Sequence, residues 1–284
     1  GGGVIWPFLG YDYFFFAQVE WRVNKNFTLS YGLRYETPGQ TINSLLPINN
    51  RIVEAAGGNP AFRMMAIPPR DLNNFAPRLG FNYKFGEGKS FLRWLTGEGQ
   101  LVARGGYARS YDASFNNLPL NVASAFPFLN SVNFLQGATA PSAYAKVQTA
   151  RFQGVPADPA TANRTILDPN YRSSVVEQFS FQLQRELAKD YALTVGWIGT
   201  KGTGLFMTVD GNPIIPFSTP SRRENTSIGT LRNRCNCGAS IYHSLQASLE
   251  KRLSSNFSAG AHYTWSAFID DASELFNPNA LSDV

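Results

Sequence analysis

One stretch of this chain alternates apolar and polar residues without a break long enough to suggest a turn. From Val175 to Leu187 the odd positions are mostly apolar, with Phe179, Phe181 and Leu183 at the centre, and the even positions are mainly polar. Successive side chains of a β-strand point to opposite faces of the sheet. The pattern therefore predicts a strand that has an apolar medium on one face and water on the other.

Seven further stretches of about ten residues repeat this alternation. The eight predicted strands are Tyr13–Val23, Phe27–Glu36, Asn74–Phe85, Gln100–Tyr111, Val175–Leu187, Tyr191–Ile198, Tyr242–Leu253 and Phe257–Ser266. Strands of this length and pattern are typical of a wall between lipid and an aqueous lumen. The sequence therefore predicts an all-β protein: an antiparallel transmembrane β-barrel of the outer-membrane type, present as a fragment of about eight strands.

The connections between the predicted strands fall into two classes. The short ones are Asn24–Asn26, Ala188–Asp190 and Ser254–Ser255, and the long ones are Thr37–Asn73, Asp112–Ser173 and Thr200–Ser240. Loops this long are uncommon in a compact soluble domain, whereas outer-membrane barrels combine short periplasmic turns with long extracellular loops. The asymmetry supports the membrane interpretation. It also predicts that the short turns lie in the periplasm and that the long loops lie at the cell surface.

The composition agrees with a barrel wall. The chain has 22 Phe, 12 Tyr and 5 Trp in 284 residues, an enrichment that fits aromatic girdles at two membrane interfaces. The mean hydropathy is −0.20, and no apolar run is long enough for a transmembrane helix. The formal net charge of +5 comes from scattered Lys and Arg residues. No basic helix or aromatic RNA-binding motif accompanies it, so a nucleic-acid partner is not expected.

The alternation assigns residues to two faces of the wall. Charged and amide side chains belong on the wet side of a membrane wall. The residues predicted to face the lumen are Glu20, Arg22, Arg34, Arg78, Arg104, Gln178, Gln182 and Gln184. The residues predicted to contact outer-membrane lipid are Phe179, Phe181, Leu183, Leu193, Val195, Leu245 and Leu249. Any one lumen residue could face a ligand or a plug domain, or could pair with a neighbour across the strands, and the pattern leaves both roles open.

No motif for enzyme chemistry stands out. The Gly86–Ser90 segment lacks the first glycine of a phosphate-binding loop, and no His-Glu-x-x-His motif occurs. Catalytic, cofactor-binding and metal-binding residues are therefore not expected, and the chain is not expected to be an enzyme.

Cys235 and Cys237 lie in a long predicted loop with one residue between them. A loop disulfide and two free thiols both remain open, and metal binding is less favoured because no further ligands accompany the pair.

Blocks along almost the whole chain resemble one family of outer-membrane proteins. The blocks are Phe16–Val23, Leu29–Glu36, Asn74–Phe81, Arg104–Tyr107, Glu177–Leu187, Gly196–Gly202, Tyr242–Gln246 and Tyr263–Ala272. In this order they look like consecutive strands of a TonB-dependent receptor. The later blocks are similar to the Oar-like branch, which bears a carboxypeptidase-regulatory domain.

This resemblance implies a barrel of about 22 strands around a plug domain, and energy supplied by the TonB complex through a TonB box. It implies a location in the bacterial outer membrane, and uptake of a large nutrient such as an oligosaccharide, a peptide or an iron chelate, captured by the extracellular loops. No plug, TonB box or closing strand is recognisable here. Residues 1–284 are therefore expected to be a partial barrel domain, with the plug and the C-terminal strands absent.

Two alternatives to a transporter remain. A surface adhesion or scaffold barrel would have the same wall without transport, and plug and TonB-box sequence in the full gene would separate it from a transporter. A soluble β-sandwich binding module would also show paired alternation. Dependence of the purified protein on detergent would separate that module from both barrels.

Overall fold

The computed structural model describes residues 8–64, 67–86, 96–97, 99–112, 117–129, 158–160, 162–254 and 256–271. Its strands are β1 (Tyr13–Asn24), β2 (Phe27–Thr37), β3 (Asn74–Lys84), β4 (Leu101–Asp112), β5 (Arg164–Leu167), β6 (Ser174–Ala188), β7 (Tyr191–Asp210), β8 (Leu231–Ser254) and β9 (Phe257–Asp270). Its α-helices are α1 (Leu46–Ala55) and α2 (Asn117–Ala123), and short 3-10 helices span Thr41–Leu45 and Pro60–Phe62. All eight predicted strands are confirmed.

The strands form one sheet, in the order β1, β2, β3, β4, β6, β7, β8. Both β9 and β5 pair with the remaining edge of β8, β9 in antiparallel fashion and β5 in parallel over Arg164–Leu167. Every other pairing is antiparallel. Within the described part of the chain the sheet does not close on itself. A sandwich needs two sheets face to face, so the soluble alternative does not match this architecture.

The short turns are held by residues that suit tight turns. The side-chain oxygen of Asn24 accepts hydrogen bonds from the backbone N–H groups of Asn26 and Phe27, both at 2.9 Å. Asp190 and Asn256 have φ angles of 71° and 58°, in the left-handed region that Asn and Asp tolerate better than most residues. The predicted turn residue Ser255 lies outside the described residues.

The third long loop is shorter than predicted, because β7 runs on to Asp210 and β8 begins at Leu231. The pairing of these extensions contains two register shifts. One lies at Gly204, whose φ of 62° suits glycine, and the other lies opposite Cys235–Gly238. Each bulge adds a residue to one strand and upsets the alternation of faces. The prediction of a loop over Thr200–Ser240 was therefore wrong in extent, and the actual loop spans only residues 211–230.

The first two long connections fold together into what we call the cap: residues 38–64, 67–73, 117–129, 158–160 and 162–173. Its buried core, which also includes Phe206 of β7, consists of Ile42, Leu45, Leu118, Val122, Ala123, Leu167, Tyr171 and Phe206. Residues 130–157 of the second predicted loop lie outside the described residues, as does most of the Gly86–Gly99 connection. In the described chain, no helix is long and apolar enough to span a bilayer.

Candidate functional site

The register places all eight predicted lumen residues on one face of the sheet, the polar face. Directly opposed residues of neighbouring strands share a face. Arg22 lies opposite Thr28, Thr28 opposite Asn82, Asn82 opposite Arg104, and Arg104 opposite Gln182. The same argument joins the whole set, Glu20, Arg22, Arg34, Arg78, Arg104, Gln178, Gln182 and Gln184. Five strands thus contribute to one continuous polar surface.

The other face, the apolar face, carries the predicted lipid-facing residues. Phe181 lies opposite Trp197, and Trp197 lies opposite Leu245. These three side chains are 39–45% exposed, so a row of large apolar groups is open to the surroundings. The predicted lipid-facing residues, all on this face, are Phe179, Phe181, Leu183, Leu193, Val195, Leu245 and Leu249. An exposed apolar surface of this continuity needs an apolar partner or medium.

Charged residues bound the apolar face at both ends. On β6 the apolar run Phe179, Phe181 and Leu183 lies between Glu177 and Arg185, which share its face. The eight residue steps from Glu177 to Arg185 span roughly 26 Å. At the tilt of about 40° common in barrels, the band is roughly 20 Å tall, slightly less than the apolar band of an outer-membrane barrel.

The charges at the long-loop end of this band are paired. The Arg109 guanidinium lies 2.8 Å from a carboxylate oxygen of Glu177, and the Tyr107 hydroxyl donates to the same oxygen at 2.7 Å. Lys201 lies opposite Glu177 on the next strand. Tyrosine beside paired charges is typical of an interface between apolar and aqueous media. Sequence parity placed Glu177 in the apolar row without revealing these partners.

The polar face is unevenly charged. Its β1–β4 half carries Arg22, Arg34, Arg78, Lys84 and Arg104, whereas the polar face of β6 is dominated by three glutamines. Arg34 pairs with Glu36 at 2.7 Å. No described residue forms an ion pair with Arg22, Arg78 or Arg104. Cross-strand pairing, which the sequence left open, is therefore not the arrangement of these three arginines within the described part of the chain.

A groove follows the middle of this face. Gln18, Gly32, Arg78, Gly106 and Gln178 are among its lining residues, and its volume is about 370 Å³. A Cβ at Gly32 would lie 2.9 Å from the Ala17 carbonyl oxygen and 3.2 Å from Gln18, so the absence of a side chain there keeps this part of the groove open. The groove brings Arg78 together with Gln178, two residues that the sequence alone placed only on the same face.

The cap covers the polar face at the long-loop end. Glu36, Asn74, Ala76 and Ser174 on this face are at most 7% exposed, whereas Glu20, nearer the short-turn end, is exposed. The Asn74 side chain also donates a hydrogen bond to the Ser173 hydroxyl at 3.2 Å. The cap and the groove therefore belong to the same side of the sheet.

Two buried arginines, one within the cap and one on β8, contact rings of the cap core or its neighbours, and sequence reasoning missed both. Arg164 is 4% exposed, donates to the Ala61 carbonyl at 2.8 Å and stacks over the Phe126 ring at 4.6 Å. Arg234, also 4% exposed, lies over the Phe206 ring. Burial lowers the pKa of both guanidinium groups. No local pattern distinguishes these arginines from exposed ones, because their burial depends on segments distant in sequence.

The loop over residues 211–230 is organised by one asparagine. The Asn212 amide donates to the carbonyls of Asn225, Ile228 and Gly229 at 2.9–3.0 Å, and its carbonyl oxygen accepts from the Asn225 N–H. Arg223 completes the base through an ion pair with Asp210 at 3.0 Å. The loop is therefore held in one shape at its base.

The two cysteines form a disulfide at the bulge of β8. Cys235 and Cys237 are bonded to one another, and Cys235 is 2% exposed. Of the two states that the sequence left open, the structure has the disulfide. Among the described residues no group of three or more His, Cys, Asp or Glu side chains could hold a metal ion.

Comparison with known proteins gives a family match over nearly the whole chain. Residues 6–283 match the model of the family described as outer membrane beta barrel domain. No curated protein sequence matches this chain.

Solved structures are similar to this chain at low sequence identity. The outer membrane transporter YddB from Escherichia coli matches 95% of this chain with a TM-score of 0.54 and 13% identity. The siderophore receptor PirA from Pseudomonas aeruginosa matches 92% with a TM-score of 0.48 and 11% identity, and the RagAB peptide importer matches 90% with a TM-score of 0.49 and 10% identity. The chain covers 26%, 35% and 22% of those three chains.

Proposed function

This chain belongs to the outer membrane beta barrel domain family, and we propose that it forms part of the wall of a receptor for energised uptake of a large nutrient. Its location is the bacterial outer membrane. The observation that carries the proposal is the polar face: Arg78, which forms no ion pair with any described residue, lines a groove on this face, and the folded cap covers the same face at its long-loop end. Charged residues inside a membrane protein commonly mark the path of a ligand. A scaffold barrel that transports nothing would not need such charges on its lumen side.

The proposed orientation puts the cap at the cell surface and the short turns in the periplasm. The difference in connection length supports it, because outer-membrane barrels keep their long loops outside. The apolar face then contacts lipid through the predicted set that includes Phe181 and Leu245. The polar face then lines the lumen, where it meets a plug domain or a permeating ligand.

Energy coupling is the part of the proposal that reaches beyond this chain. The resemblance to TonB-dependent receptors, and to their Oar-like branch, supports a plug that contacts the TonB complex. The likeness to YddB concerns the fold, and the description of that protein as an outer membrane transporter suggests transport here. Oligosaccharides, peptides and iron chelates are the nutrient classes that we propose. Residues 1–284 would then be a partial barrel domain of the receptor.

A surface adhesion or scaffold barrel is the second candidate. The cap supports this candidate, because a folded surface unit with its own core can bind a partner without any transport. Such a barrel would not respond to TonB.

The test uses the full-length protein in its native outer membrane. Replacing Arg78 and Arg104 together by Gln removes two charges for which no described residue supplies an ion pair. We expect weaker seating of the plug, with increased passive entry of large antibiotics and slower TonB-dependent growth. The control replaces Gln178 and Gln182 by Asn. Gln182 lies directly opposite Arg104, and Gln178 shares the cross-strand row of Arg78 through Ala108.

Both double variants should remain in the outer membrane at normal abundance. Unchanged permeability together with unchanged growth in the arginine variant would refute the assigned role of these residues. A full-length gene without a plug domain would refute the transporter itself and leave the adhesion barrel.

A further inference from the structure

A small pocket lies inside the cap, away from the groove on the polar face. Its walls come from residues 38–42, 68–71, 118–119, Leu167 and 171–173, and its volume is about 50 Å³. Four prolines, Pro38, Pro68, Pro69 and Pro119, line it together with Ile42 and Leu118. A space of this volume holds a few water molecules. It therefore suits one small head group of a ligand.

The pocket contains both a carboxylate and guanidinium groups. The carboxylate of Asp71 is buried, whereas the guanidinium of Arg172 is exposed to an incoming ligand. The Asp71 side chain is 8% exposed, and one of its oxygens accepts a hydrogen bond from the Ser173 N–H at 2.8 Å. The other oxygen accepts no hydrogen bond from any described residue and lies 3.9 Å from a guanidinium nitrogen of Arg172. The Arg172 side chain is 55% exposed. Asp71 thus positions the guanidinium of Arg172, which remains open to solvent.

A second arginine lines the same pocket. Arg70 is exposed, and it donates a hydrogen bond at 3.2 Å to the hydroxyl of the buried Thr37. Arg172 is positioned through its backbone as well, because its N–H donates to the Asn236 side chain at 2.6 Å. A guanidinium has five N–H donors. Each arginine is therefore anchored while most of its donors are left for a ligand.

We propose that this pocket binds a carboxylate group carried on an apolar stem, with Arg70 and Arg172 binding the carboxylate and the prolines packing against the stem. Two accessible guanidinium groups against one buried carboxylate favour an anion over a cation. A carboxylate matches the planar fork of a guanidinium through two parallel hydrogen bonds. As a capture site of the receptor, the pocket rests on the proposed function.

The polar face beyond the pocket also carries arginines that would favour an anionic ligand. Arg34 lies on β2 three residues before Thr37, and Arg78 and Arg104 follow farther down the polar face. Asn82, opposite Arg104, is four residues along β3 from Arg78, which corresponds to roughly 13 Å. An acidic ligand released from the cap would therefore meet Arg34, which pairs with Glu36, and then Arg78 and Arg104, neither of which forms an ion pair with a described residue.

The test measures binding of small probes to the purified full-length protein in detergent, by ligand-observed NMR. The probes are hexanoate, hexanamide and hexyl phosphate, which carry unbranched alkyl stems of five or six carbons and differ in their head groups. We expect hexanoate to bind, hexanamide not to bind, and hexyl phosphate to bind more weakly. Replacing Arg70 and Arg172 by Gln should weaken hexanoate binding about tenfold or more, because charge-assisted hydrogen bonds are lost.

The matched control is Arg51→Gln, which removes an exposed arginine of α1 outside the pocket and should leave hexanoate binding unchanged. Arg172→Lys keeps the charge and should retain part of the affinity. Equal binding of hexanamide, tighter binding of hexyl phosphate, or equal losses in the Arg51 and Arg70/Arg172 variants would overturn the proposal. Because these probes require no uptake, a protein that binds hexanoate in the pocket without TonB-dependent growth would refute transport only. TonB-dependent growth without selective hexanoate binding would refute the pocket only.

Discussion

The wall and the cap of this protein are stabilised in different ways. In β1 and β9 every side chain is exposed on both faces, so these strands depend on their backbone ladder and on what surrounds the sheet. In the cap, Leu45 and Leu118 are at most 1% exposed and pack in a core that the chain supplies itself. The cap therefore has a hydrophobic core of its own. The wall strands, in contrast, leave apolar side chains exposed that a membrane would cover.

The largest difference is expected for a core residue of the cap. Replacing Leu45 by Ala leaves a cavity and should destabilise the cap by about 2–5 kcal/mol. Hydrogen exchange should show faster exchange in α1 and in the adjoining 3-10 helix, with the wall strands unchanged. Leu46→Ala is the control, because Leu46 is 39% exposed. Faster exchange throughout β1–β4 would show that these wall strands lose stability together with the cap and would contradict this prediction.

The wall should respond to the face on which a charge is placed. Phe181→Arg puts a charge near the middle of the apolar face and should cost about 2–4 kcal/mol of stability in a bilayer. Gln182→Arg, one residue later on the polar face, should be mild. Equilibrium unfolding of the full-length barrel in lipid vesicles measures both. Equal losses at the two positions would indicate that both faces are packed against protein.

A smaller effect is expected from alkaline pH, and only in the cap. Burial raises the pKa of Tyr171 to about 12, with nearby Asp112 adding to the rise. The unfolded cap would ionise this phenol near pH 10 while the folded cap keeps it neutral. Its stability should therefore fall as the pH rises from 10 towards 12, by roughly 1 kcal/mol at pH 11. Hydrogen exchange of Tyr171→Phe should lack this added pH dependence, and a wild-type cap insensitive to pH would contradict it.

Orientation is tested without any change of stability. Cysteine at Asn163, an exposed cap residue, should react with an impermeant reagent on intact cells, and cysteine at Lys189 in a short turn should react only after the outer membrane is opened. The native cysteines are bonded to each other and should contribute no background. The reverse labelling pattern would invert the proposed topology.

The strands of the wall could be predicted from local sequence, because the alternation that defines them involves only neighbouring residues. A strand between two media must alternate in polarity with a period of two, so Phe181 and Gln182 can be assigned to opposite faces from neighbouring residues alone. The register then joins Arg104 to Gln182 and Phe181 to Trp197 as the alternation requires. The predicted strands stopped at Ile198 and Tyr242, short of the extensions of β7 and β8 in which bulges near Gly204 and Cys235 upset the alternation.

The cap, by contrast, was decided by contacts between segments far apart in the chain. Leu45, Leu118, Leu167 and Phe206 share one core, yet none lies in a segment with a clear period. The four residues of β5 become a strand only because β8 offers a free edge beside them. Whether a carboxylate such as that of Asp71 is buried depends on three segments meeting around it. Alternation is carried by adjacent residues and can be read from sequence, whereas a core formed by distant segments exists only once the chain has folded.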